Sequence, residues 1–204
     1  MSSDLSGHSR DTRPRLAGLL LAAGSGRRFG KPKALVDTGS GPWLLRALGV
    51  LGGCDEIVVV VGAEADAVAG LLPDGVPAVT NRAHAEGMGS SLRVGLEAFA
   101  DSDAQAALVM LVDLPDVTRA VADRLRAELQ RSAAPAGILA RAGYLGKPGH
   151  PVLIGRDHFA GVINGAAGDA GARGYLAAHQ AQVIECGDIG GGRDVDTLDQ
   201  LRSS

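Results

Sequence analysis

Short apolar runs alternate along this chain with longer stretches in which apolar positions recur every three or four residues. The runs predict strands at Leu16 to Ala23, Glu56 to Gly62, Val76 to Thr80, Ala106 to Val112, Ala136 to Ala140, Pro151 to Ile154 and Gln182 to Cys186. The longer stretches predict helices around Trp43 to Val50, Ala65 to Leu72, Ser90 to Ala100, Thr118 to Arg131 and Ala170 to His179. This alternation defines an α/β fold. Ile57-Val58-Val59-Val60-Val61 is apolar at every position, so both faces of that strand need cover, as in a mostly parallel sheet with helices on either side. In such sheets ligands bind beyond the carboxyl ends of the strands. The loops after Ala23 and after Val112 therefore face one crevice.

Composition narrows the picture. A chain of 204 residues, 46% of them hydrophobic, holds one well-cored domain, here 15–204 behind a polar tail at 1–14. No internal repeat or linker divides it; Ala133 to Gly137 and Gly187 to Gly192 read as surface connections. A net charge of −3 and 3% aromatic content argue against a nucleic-acid partner, which asks for clustered cations and stacking rings. Cys54 and Cys186 form no C-x-x-C pair and are too few for a disulfide scaffold, so the expectation is reduced thiols in the cytoplasm and no structural zinc. No apolar run reaches the roughly 18 residues of a membrane span, and the tail lacks the apolar centre of a signal peptide.

The densest chemistry lies in LLLAAGSGRRFGKPKAL, residues 19–35. A buried strand ends in a loop holding Gly24, Gly26 and Gly30 beside Arg27, Arg28, Lys31 and Lys33. Glycines let the backbone bend and bring its N–H groups close to phosphate oxygens, and cations crowded this closely repel one another unless an anion is expected. The loop is built for a polyphosphate. A Walker loop is excluded, because the glycine spacing is wrong and Lys31 is followed by Pro32 instead of a hydroxyl residue. A dinucleotide fingerprint fails too: the third glycine comes late at Gly30, Pro32 interrupts the helix, and Glu64 is too distant to bind a ribose.

Four further segments carry candidate residues. Asp113 follows the apolar run Val109 to Val112, where a carboxylate can bind a hard cation or, equally, cap the turn before the next helix. Asp194 and Asp196, in Arg193-Asp194-Val195-Asp196-Thr197, offer a second carboxylate, with Asp196 the first choice and helix capping the alternative. Asn81 to Leu92 contains Gly87-Met88-Gly89-Ser90-Ser91, a helix start whose N–H groups and hydroxyls suit an anion or a base edge, or a plain N-cap. Gly149-His150-Pro151 and Gly168-Asp169-Ala170-Gly171-Ala172-Arg173 complete the set, with capping again the alternative for Asp169. No Ser/His/Asp triad or reactive cysteine setting stands out.

Leu21, Gly24, Gly26, Arg28, Gly30 and Lys33 fill the pattern L-x-x-G-x-G-x-R-x-G-x-x-K. With the V-D-x-P pattern at Asp113 and Pro115, the G-M-x-x-S segment at Gly87 and the G-H-P and G-D-x-G-A-R stretches, the chain resembles the MobA/MocA-like nucleotidyltransferases, which attach nucleotides to molybdopterin. The resemblance implies a three-layer Rossmann-like domain with a mostly parallel mixed sheet. It implies NMP transfer from an NTP to a phosphorylated acceptor, most closely molybdopterin, with pyrophosphate release, Mg²⁺ or Mn²⁺ as cofactor, and contact with a molybdoenzyme or its maturation chaperone. Arg28, Lys33 and Asp113 are then catalytic, and Asp113 and Asp196 hold the metal. Leu21, Ala22, Ala23, Gly24, Ser25, Gly26, Arg27, Lys33, Asn81, Gly87, Ser90 and Ser91 surround the nucleotide, and His150, Asp169 and Arg173 receive the acceptor. The usual proline and glutamate of the family's D-x-D-T-P-E-D segment are replaced here by Leu198 and Asp199. Ala22-Ala23-Gly24, where guanylyl-transferring relatives carry A-G-G, points to CTP over GTP. A sugar phosphate or methylerythritol phosphate as acceptor, and a catalytically weak nucleotide- or cofactor-binding protein, are the alternatives.

Overall fold

The computed structural model describes residues 13–27 and 29–195. Seven strands form one sheet: β1 (Leu16–Leu21), β2 (Glu56–Val61), β3 (Ala78–Thr80), β4 (Ala106–Leu111), β5 (Leu139–Tyr144), β6 (Lys147–Gly155) and β7 (Gln182–Glu185). Their order is β3-β2-β1-β4-β6-β5-β7. Strands β3, β2, β1 and β4 run parallel, β6 runs antiparallel to both β4 and β5, and β7 pairs parallel with β5. The helices are α1 (Trp43–Leu51), α2 (Ala65–Ala69), α3 (Met88–Glu97), α4 (Arg119–Arg131), α5 (Phe159–Gly165) and α6 (Arg173–Ala178).

Side chains alternate across a strand, and β1 shows the result: Leu16 and Leu20 point into one core, Ala17, Leu19 and Leu21 into the other. The first core holds Val59, Val61, Leu108 and Met110 under α1 and α4. α4 presents Val121, Ala122, Leu125 and Leu129 to it, one stripe of a helix with an otherwise polar surface. The second core packs Val58, Val60, Val109, Val152 and Ile154 against α3, α5 and α6. Gly95 of α3 lies against the Leu19 methyls so closely that any side chain there would displace them. The predicted α/β sheet, mixed and mostly parallel, is what forms.

The chain proceeds from β1 to β2 on one side, while β4 joins β1 on the other. Between the carboxyl ends of β1 and β4 the sheet's connections diverge, which opens a crevice. Val112 N–H donates to the Leu21 carbonyl at 3.3 Å, so the two loops start side by side.

Several boundaries differ from the sequence reading. β5 begins at Leu139 because residues 135–137 coil into a 3₁₀ turn led by Pro135. It then runs on into a hairpin with β6, closed by Leu145 (φ 53°) and Gly146 (φ 75°), the left-handed pair that a two-residue hairpin turn needs. Leucine is an unusual occupant of that conformation, and Pro148 and Pro151 mask the strand that follows. α5 went unpredicted because two glycines dilute its seven residues. α6 starts at Arg173 instead of Ala170, since Gly171 (φ 54°) breaks the backbone before it.

Candidate active site

The loop after β1 is shaped from within. Ala22 and Ala23 stay buried, and Ala22 N–H and Ala63 N–H bond to Val60 and Ala23 carbonyls at 2.9 and 3.2 Å. Gly26 adopts φ 57°, and its carbonyl accepts the N–H groups of Phe29 (2.8 Å) and Gly30 (2.9 Å). A Cβ on Gly26 would collide with the Lys31 carbonyl. Gly24 is different: it is exposed, its φ is ordinary, and a Cβ there would meet nothing within 4 Å. The fold itself does not require glycine at that position, and its absent side chain leaves the backbone there open to a close approach. Phe29 anchors the far end, buried with Val36, Trp43 and Val195, its ring centroid 5.8 Å from that of Trp43. Ser25 and Arg27 line the solvent side. Arg28 lies outside the described residues.

Lys33 opens a 3₁₀ turn after the buried Pro32 and reaches across the crevice. Its Nζ donates to Asp113 Oδ2 at 2.8 Å, and the two side chains are only 14% and 24% exposed. Residues 80 positions apart are thus joined by a charge-assisted hydrogen bond. The Asp113 carbonyl accepts the Val195 N–H at 3.2 Å, and Val195 is wholly buried, which brings the C-terminal segment to the same point. Arg193 is tied there by Asp116 at 3.2 Å, and Asp194 is exposed beside it. Asp196 lies outside the described residues, as do 197–204 and the first twelve residues of the predicted tail. A hard cation needs one or two carboxylates when substrate phosphates and water complete its shell, and Asp113 offers one, with Oδ1 not engaged by Lys33. The donor set fits a divalent cation shared with a nucleotide. Among the described residues no group of three or more His, Cys, Asp or Glu that could hold a metal ion gathers, at this crevice or elsewhere.

Asn81, Ser90 and Ser91 are together, but turned inward. Asn81 is 1% exposed; its amide donates to Ser90 Oγ (2.8 Å) and Ser91 Oγ (2.9 Å), and its carbonyl oxygen accepts from Ala83 N–H (2.9 Å). Ser90 Oγ is also within reach of the Ala83 and Gly87 carbonyls. The geometry gives these side chains a bracing task in the loop, in place of the exposed hydroxyls that the sequence suggests. Gly87 (φ 104°) and Gly89 are pressed against residues 166–169, where a Cβ on either would come within 3 Å of backbone.

His150, Asp169 and Arg173 line a single pocket on the α3 and α6 side of the crevice, floored by Leu21, Met88, Leu92 and Val109. Arg141 of β5 lines it as well and was not foreseen, because the predicted strand stopped one residue short of it. Burial, with Arg141 and Arg173 close by, pushes the His150 imidazole down to about 4, so it is neutral at pH 7. Burial also lowers the pKa of Arg141, and Arg173 adds to that.

A glycine-rich loop at the switch point of a doubly wound sheet, with a lysine–aspartate pair across its mouth, is thus the arrangement at the crevice. Residues 18–183 match the MobA-like NTP transferase domain, and the chain belongs to that family. It is 37% identical to the nicotine blue oxidoreductase of Paenarthrobacter nicotinovorans, over 92% of this chain and 95% of that one. It is 29% identical to the molybdenum cofactor guanylyltransferase of Rhodobacter capsulatus, over 73% of this chain and 68% of the relative. Among solved structures it resembles Rv0371c of Mycobacterium tuberculosis H37Rv, with a TM-score of 0.76 and 29% identity over 94% of this chain and 98% of that one. That protein has also been solved in complex with manganese. No helix among the described residues is long and apolar enough to cross a membrane.

Proposed function

We propose that this protein is a nucleotidyltransferase that moves CMP from CTP to a phosphorylated acceptor of the molybdopterin type. The Lys33–Asp113 pair is the observation that carries the reading. It holds one cation and one carboxylate half-buried at the crevice, where an NTP brings both an anion for Lys33 and a cation for Asp113. Family membership, the guanylyltransferase relative and the manganese complex of a structural neighbour support the same chemistry.

The acceptor's phosphate oxygen forms a bond to the α-phosphorus of the NTP as the bond from that phosphorus to the β-phosphate bridging oxygen breaks, and pyrophosphate leaves. A phosphate monoester is already a competent nucleophile, so positioning and charge neutralisation carry the rate. Lys33 and Arg28 offset the charge gathering on pyrophosphate, and the backbone around Gly24 and Gly26 approaches the triphosphate. Asp113, with Asp196 as the expected second carboxylate, would hold a divalent cation, Mg²⁺ or Mn²⁺, that neutralises the triphosphate when bound. Asn81, Ser90 and Ser91 fix the loop bordering the base, and His150, Asp169 and Arg173 receive the acceptor. Pyrophosphate release measured with each NTP and a panel of phosphorylated acceptors tests the assignment; no release with any pair rejects it.

The 37% identity to a protein named as an oxidoreductase favours a second reading. A glycine loop suited to a triphosphate also suits the pyrophosphate of a dinucleotide electron carrier. Reduction of a dye substrate by NADH or NADPH, with no pyrophosphate released from NTPs, would select that reading.

A further inference from the structure

The pocket beside β6 is lined by Arg141 and Arg173 and by one carboxylate, Asp169, with which neither arginine forms a salt bridge. Arg141 donates Nε–H to the Gly149 carbonyl at 3.2 Å, which fixes its stem. Neither its guanidinium nor that of Arg173 lies in a salt bridge with an acidic side chain among the described residues, although most of the chain's other described arginines do. Burial and the nearby Arg173 both disfavour the charge on Arg141, which is half-buried. Like charges kept together in a partly desolvated pocket cost stability that the apolar floor does not return. A neutral His150 in the same lining adds a hydrogen-bonding nitrogen without adding charge. Arginine's planar fork matches phosphate oxygens two at a time.

We propose that Arg141 and Arg173 together bind a phosphate monoester dianion, and that Arg141 is thereby an acceptor-recognition residue. The pocket floor includes Leu21 at the end of β1 and Val109 of β4, the strands followed by the glycine loop and by Asp113, and in the order β1-β4-β6 His150 of β6 lies across β4 from β1. A phosphate in this pocket is thus next to the crevice, across β4 from the strand that carries the glycine loop, as an acceptor must be if its phosphate is to meet the NTP. Identifying the phosphate as the acceptor's rests on the nucleotidyl-transfer reading; the anion site itself does not.

The test titrates the full chain with inorganic phosphate and follows the His150 imidazole by NMR, with chloride at matched ionic strength as reference. Wild-type protein is expected to show a saturable shift with phosphate alone. Arg141→Gln is expected to weaken it at least tenfold, and Arg131→Gln, on the far exposed face of α4, to leave it unchanged. Arg173 is exposed at the rim, so Arg173→Gln supplies the same expectation if Arg141→Gln does not fold. A shift that never saturates, that chloride reproduces, or that survives both glutamine variants overturns the site. The titration contains no nucleotide, so failure of pyrophosphate release would leave its outcome intact. A tenfold preference for NADPH over NADH that disappears in Arg141→Gln would assign the pocket to a dinucleotide's 2′-phosphate and overturn the acceptor assignment.

Discussion

Breaking the Lys33–Asp113 pair should cost far more in turnover than in folding, and the two costs should combine differently. The pair is 2.8 Å long and mostly shielded from water. A hydrogen bond to a charged group of this kind contributes about 1.5–3 kcal/mol, and partial solvent access places the value near the lower end. Lys33→Ala and Asp113→Ala are therefore each expected to lower unfolding free energy by about 1–2 kcal/mol, because each removes a charge-assisted hydrogen bond that is mostly shielded from water. The double variant removes both charges and should be destabilised by less than the sum, with a coupling of about 1 kcal/mol. In catalysis the roles separate. Loss of one preorganised charge at a developing anion typically costs about 10²–10³ in rate, roughly 3–4 kcal/mol, so each single variant should lose at least a hundredfold. Urea unfolding of the four proteins gives the first quantity and a pyrophosphate-release assay at saturating NTP gives the second. Wild-type turnover in either single variant would refute the catalytic assignment, and strictly additive stabilities would refute the pairing.

Chelation of divalent cations should abolish turnover, with recovery on adding Mg²⁺ or Mn²⁺; full activity in chelator would remove Asp113 as a metal-holding residue. Gly26→Ala should cost about 1–3 kcal/mol in thermal or denaturant stability, because φ 57° and the Lys31 carbonyl both exclude a Cβ, whereas Gly24→Ala should fold normally and weaken nucleotide binding. CTP should bind at least tenfold more tightly than GTP by direct titration with magnesium present, the ratio that one misplaced hydrogen bond in a desolvated pocket yields; equal affinities would reject the cytidylyl preference alone. His150, with Arg141, Arg173 and Asp169 around it, is held neutral with its pKa pushed down to about 4 from an ordinary value near 6.5. Its contribution to stability is present above that ordinary value and is lost as pH falls from about 6.5 toward 4, by at most about 3 kcal/mol. His150→Asn should flatten that part of the stability–pH curve, and an unchanged curve would show that the imidazole titrates normally.

What the sequence disclosed follows from which interactions are local. The glycine loop was legible because its conformation is written into adjacent residues: Gly26 must take a left-handed turn, and Gly30 follows it (φ 84°). β1, β2 and β4 were legible because an uninterrupted apolar run has few other uses. Asp113 was legible as a residue but ambiguous as a role, since a turn cap and a cation ligand look alike in one dimension. The fold adds a pairing that neighbouring residues do not reveal, by carrying Lys33 to Asp113 from 80 positions away. Asn81, Ser90 and Ser91 illustrate the opposite failure. Their pattern suggested exposed hydroxyls at a helix start, yet α3 begins two residues earlier at Met88, so both serines fall inside the helix and turn toward Asn81. Arg141 was hidden for a topological reason. A single arginine after an apolar run reads as the end of a strand, and only the β5–β6 hairpin, with its unforeseen Leu145 turn, lays that arginine beside His150. The glycine loop is thus encoded by neighbouring residues, while the pocket lined by Arg141, His150 and Arg173 depends on a hairpin and on α6, distant in sequence.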